Sequence, residues 1–109
     1  HLHDPTRAIE LYNKALDDDI NQQAAFQHIV RLLTQANKWR KLERNYRQMI
    51  RRVQQSAPQS ADLLFNLWFD LGDAFARHIR DIPAAITAFE AALQVIPGDM
   101  SARQELVRL

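Results

Sequence analysis

Residues 68–97 read WFDLGDAFARHIRDIPAAITAFEAALQVIP, and this stretch decides the fold. Trp68, Leu71 and Phe75 recur at helical spacing, and Ala85, Phe89 and Leu93 do the same farther on. Between the two runs, Asp81 and Pro83 make a helix start, an N-cap side chain followed by a proline in the first turn. Pro97 cannot continue a helix and closes the second run. Gly72 and Ala85 are small where two antiparallel helix backbones must approach, while the large residues fill the space around them.

The arrangement Trp68-x2-Leu71-Gly72-x2-Phe75, Ala85-x3-Phe89 and Pro97 resembles the tetratricopeptide repeat, a helix–turn–helix unit of about 34 residues. Phe75 stands where that family has tyrosine, and one extra residue falls in the turn around His78 to Asp81. The resemblance implies an all-α, right-handed α-solenoid of about six helices in antiparallel hairpins. It also implies a protein–protein interaction module: a scaffold that presents a concave groove to a peptide or protein partner, without catalysis or cofactor.

Earlier copies of the pattern lie upstream. Ala8, Ile9, Tyr12, Ala15 and Leu16 match Ala85, Ile86, Phe89, Ala92 and Leu93, and Asp4-Pro5 repeats the helix start. Leu42, Tyr46, Met49 and Ile50 follow Ala8, Tyr12, Ala15 and Leu16 at an offset of 34 residues in every case. Phe26, Ile29, Val30 and Leu33 take the places of Trp68, Leu71, Gly72 and Phe75, with Asn21 as N-cap. Val30 at the glycine place implies looser packing of that pair. The expected division is a second helix of a truncated repeat at 4–19, a repeat at 21–54 and an extended connection at 54–61. A repeat at 60–97, capped by Ser60, and a first helix of a further or capping repeat at 99–109 complete it. Tyr46 to Phe89 spans nine residues more than the repeat; one falls near His78, and an extended connection with an extra N-terminal turn on the next helix is expected to hold the rest. The chain reads as a fragment of a longer solenoid.

Composition narrows the classes. An apolar fraction of 47% and a charged fraction of 25% belong to ordinary globular chains. With zero cysteines, disulfides, thiolate metal sites and cysteine nucleophiles are excluded. Glycines only at 72 and 98 leave no phosphate-binding loop. No apolar run nears the about 20 residues that a membrane span needs, so a cytoplasmic location is the expectation. His1 and His3, with Asp4, read as a solvated terminus, because a metal site needs three or four fixed ligands. Asp70 and Asp73 read as a solvated face, with Asp73 able to meet Arg77 one helical turn on.

Projecting the family's groove onto this chain gives the candidate binding residues. The resemblance places Gln27, Arg31, Thr34 and Gln35 on the first helix of the middle repeat. Asn66, Phe69, Asp73 and Arg77 follow on the next repeat, and Gln104 and Arg108 on the last helix. Gln27, Phe69 and Asp73 depart from the family's carboxylate clamp, so the groove reads as mixed: amides, arginines and one aromatic.

Charge offers a rival reading. The net charge of +1 hides a basic middle: residues 23–58 carry eight bases and one acid, flanked by acidic ends. Arg40, Arg44, Arg47 and Arg51 form one stripe at helical spacing. The alternative function is therefore an electrostatic docking platform for an acidic protein or, behind it, nucleic acid, since interleaved aromatics are lacking. Terminal helices bearing Leu106, Val107 and Leu109, or Ile9, Leu11 and Leu16, suggest weak self-association.

Overall fold

The local signals place the helices. Asp81 caps one helix by accepting from the Ala84 N–H at 3.1 Å, and Asp99 caps another by accepting from the Ala102 N–H at 3.0 Å. In a computed structural model, which describes residues 5–20 and 22–109, the chain is all-α. Its six helices are α1 Pro5–Asp18, α2 Gln23–Gln35, α3 Trp39–Ser56, α4 Ala61–Ala74, α5 Ile82–Val95 and α6 Met100–Arg108. His1, His3, Asp4 and Asn21, the last two expected as N-caps, lie outside the described residues. Ser60 precedes α4 as expected, but its side chain makes no capping hydrogen bond.

Each helix packs chiefly against the next in chain order. The Cα envelope is a slab of 45 × 30 × 16 Å, whose thin dimension holds about two helix layers at a spacing of 8–10 Å. Among the described residues no helix is long and apolar enough to cross a membrane.

The extra residue at the second hairpin turn has a definite form. Residues Phe75–Ile79 continue α4 as a π-helical turn, and the Phe75 carbonyl accepts from both the Arg80 and the Asp81 N–H. A π turn holds one residue more than an α turn, so the helix bulges instead of breaking. Arg80 then reverses the chain with φ 65°, the left-handed region that ordinary side chains disfavour. Asn37 makes the corresponding reversal between α2 and α3 at φ 56°.

The expected extended connection at 54–61 is replaced by something shorter. Helix α3 runs on through Ser56, and residues 57–60 form a tight turn in which the Ser60 N–H donates to the Ala57 carbonyl at 2.9 Å. Four residues also separate α1 from α2 and α5 from α6. The nine extra residues therefore lie within helices: α3 is four residues longer than α5, and α4 with its π turn outruns α2 by six, set against a hairpin turn one shorter. The physical reason is helix propensity. Gln54 and Gln55 are good helix formers, and nothing stops α3 until Pro58 restricts the residue before it.

One continuous core runs from Leu16 on α1 through Ile29, Met49, Val53 and Leu71 to Phe89 on α5. A smaller cluster of Phe65, Ala92 and Ala102 joins α4 and α5 to α6, and Trp68, Phe69 and Val95 bridge the two. Trp68 is half-buried there, not fully enclosed as its place in the pattern suggested; Phe89, at 0% exposure, is the aromatic centre. Gly72 explains why. A Cβ at that position would lie 2.9 Å from Cε1 of Phe89, so the glycine leaves room for the ring.

At the ends, the expected apolar faces are only partly open. Val107 is exposed and Leu109 partly so, while Leu106 turns inward against the core. On α1, Leu11 is exposed, but Leu16 is buried.

Candidate interaction surfaces

Two surfaces flank α3. On one side, α2 and α4 lie beside it. Gln27, Arg31, Thr34 and Gln35 are all exposed on α2, as is Asn66 on α4. Thr34 and Asp73 line a single cavity of about 140 Å³, with Val30 of α2, Tyr46 and Trp39 of α3, and Asp70 and His78. Of the expected groove residues, these two are brought to one cavity. Asp73 accepts from Nε of Arg77 in an ion pair one helical turn along.

Phe69 departs from a free ligand contact. It stacks on Phe65 at 5.8 Å and meets Phe89 edge-on at 5.3 Å, so one face of the ring belongs to the core. Gln104 is exposed on α6, and Arg108 donates to Glu105 at 2.8 Å.

Electrostatics sharpen the small cavity. Partial burial, then the Asp73 charge, raises the Asp70 pKa above the ordinary carboxylate value. Burial, with Asp70 and Asp73 adding, also pushes the Tyr46 phenol upward, so it stays a protonated donor. His78 stacks on Trp39 at 4.0 Å with the rings 8° apart. That stack closes the α2–α3 end of the surface.

Along the outer side of α3 the arginine stripe divides between α4's continuation and α1. Arg40 and Arg47 both reach Glu43, at 3.3 and 3.4 Å, and the Arg47 guanidinium sits 5.7 Å from the Phe75 ring centroid. Arg44 and Arg51 are rotated from them by about 40°, the angle between helix positions four apart. They face α1, where they join Lys41 and Lys38 on the wall of a cavity of about 600 Å³. Lys38, Lys41 and Arg44 also border a second cavity of about 510 Å³, beside Trp39 and His78.

Polar side chains set the spacing between α1 and α3. Asn13 Nδ2 donates to Oδ1 of Asn45 at 3.0 Å. Buried Arg52 donates through Nε to Asp17 at 2.8 Å and through Nη2 to the Asn13 carbonyl and side chain, at 3.2 and 3.1 Å. Its Nη1 is buried without a hydrogen-bond partner among the described residues. From the sequence Arg52 reads only as one more base beside the arginine stripe, among seven others in the basic segment. A signal of its tie to α1 existed: Asp17 precedes it by 35 residues, close to one repeat length.

Among the described residues no group of three or more His, Cys, Asp or Glu is placed to hold a metal ion. No protein-family model matches the chain, and no curated protein matches it.

Proposed function

We propose that the chain is a protein-binding module of tetratricopeptide-like hairpins, stacked as a right-handed solenoid, with the α2/α4 face as its groove. The observation that carries this reading is the meeting of Thr34 and Asp73 at one cavity over Tyr46. These two residues come from alternate helices, so α2 and α4 share a face that α3 floors. Chain-order packing of the helices and the capped, proline-started α5 support the same architecture.

The mechanism is presentation of a preformed surface. Arg31, Gln35 and Asn66 offer exposed donors, and the Asp73–Arg77 pair gives the groove an acid and a base. Those groups read a segment's polar side chains and backbone. The exposed face of Phe69 supplies apolar contact.

Selection from a random-peptide display library tests the reading. Peptides enriched on the chain should lose binding to a combined Arg31→Ala, Asn66→Ala variant of unchanged melting temperature. Equal enrichment on the variant contradicts the groove assignment.

A further inference from the structure

We propose that the cavity between α1 and α3 is a second binding site, for an acidic peptide segment that carries an apolar side chain. It stands on the opposite face of α3 from the α2/α4 groove and does not rest on that reading.

Shape comes first. The cavity holds about 600 Å³, within the roughly 300–1,000 Å³ of ordinary ligand sites. Its apolar part comes from Ile9 of α1, from Leu32 and Leu33 of α2, and from Ala36 just after α2. The opening has a cause in the sequence. Asn13, Asp17, Asn45 and Arg52 tie α1 to α3 through polar side chains toward one end, and long side chains hold helices farther apart than interlocked alanines. Beyond those ties, toward Thr6 and Lys38, the space between the helices is unfilled.

Charge comes second. Lys38, Lys41, Arg44 and Arg51 line the same cavity, against one acid, Glu10. All four cations are exposed, and none is paired with a carboxylate among the described residues. Arg40 and Arg47, by contrast, share Glu43. Along α3, the cations left unneutralised are thus the ones beside the apolar floor.

That pairing of features selects the occupant. Carboxylates complement the four cations, and an aliphatic side chain fills the floor. A nucleic acid would answer the charge but not the floor, which has no aromatic ring for a base to stack on. A bare inorganic anion would leave the apolar walls wet. The fitting ligand is a peptide with a leucine-like residue flanked by glutamates or aspartates.

The test uses the whole chain and a fluorescein-labelled peptide with one leucine among glutamates, read by fluorescence anisotropy. Two control peptides replace the leucine by serine or the glutamates by glutamine. Binding should weaken about tenfold or more for either control and for a Lys41→Glu, Arg44→Glu variant. An Ala36→Phe variant, at an exposed position on the cavity wall, keeps every charge and fills the floor. It should abolish binding, while Arg40→Gln with Arg47→Gln should change it less than about threefold. Thermal melts of each variant confirm that the fold is retained. Equal binding of the serine peptide, or unchanged binding to the Ala36→Phe chain, overturns the site. So does preference for single-stranded RNA or for dodecanoate over the peptide in competition.

Discussion

Helices α4 and α5 pack over the most extensive shared face in the molecule, whereas α2 and α3, the equivalent pair one repeat earlier, share much less. The difference traces to a few residues. On α4, Gly72 admits the Phe89 ring, and on α5 Ala85, Ala88 and Ala92 are buried at 0–2% exposure. In the earlier pair Val30 stands at the glycine place, and Leu42 and Met49 stand where α5 has Ala85 and Ala92. The earlier pair carries these larger side chains, and the 140 Å³ cavity beside Val30 opens where α2, α3 and α4 meet. Close packing is concentrated at one end of the chain. Looser packing makes the other end the place where cavities and unpaired charge collect.

Substitution at the tight pair should break the comparison most strongly. Phe89→Ala, at the centre of the α4–α5 contact, should cost about 3–5 kcal/mol in chemical denaturation. Trp68→Ala should cost less, since Trp68 is only half-buried. A larger loss at Trp68 than at Phe89 would reverse the assignment of the core's centre.

Enlarging the two equivalent positions sharpens the contrast. Gly72→Val must displace the Phe89 ring and should cost about 2–3 kcal/mol. Val30→Leu has a cavity beside it and should cost less than about 1 kcal/mol. Equal effects, read from thermal or urea midpoints, would mean that both pairs are packed alike.

These positions also show how far the sequence is legible. Gly72, Ala85, Phe89 and the caps at Asp81 and Asp99 follow from residue size and backbone chemistry, which are local. The inserted residue near His78 was visible as a broken spacing, although its π-helical form depends on how α4 meets α5 and α3. The connection at 54–61 is less legible, because the polar, small residues Gln54 to Ser56 suit a loop as well as a helix and here continue α3. Site residues were harder. Spacing places four arginines on one stripe, but the reach of Glu43 decides which of them are neutralised. Phe69 shows the same limit: its place on a helix face was readable, its contact with Phe65 and Phe89 was not.

The polar tie between α1 and α3 belongs to the loose end and should respond more modestly. Asp17→Ala leaves Arg52 buried without its acid and should cost about 1–3 kcal/mol. Because Asp17 is itself largely exposed, Arg52→Met should cost less than Asp17→Ala. The reverse order in denaturation midpoints would show that packing of the Arg52 stem, not its charge, secures α1.

The smallest effect is expected at Asp70. A carboxyl whose pKa is raised on folding binds its proton more tightly in the native state, so stability grows as pH falls through the raised value. Above that value the ionised group is a liability. Asp70→Asn should therefore raise the melting temperature at neutral pH, and the gain should vanish below the ordinary aspartate value of 3.8. A pH-independent gain would assign the effect to packing.

The groove itself is tested most directly by amide chemical-shift mapping with a display-selected peptide. The account predicts that amides of α2 around Arg31–Gln35 and of α4 around Asn66–Asp73 move together in one saturable titration. Shifts confined to one helix, or gathered on α5 and α6 with α2 silent, would contradict a shared α2/α4 binding face.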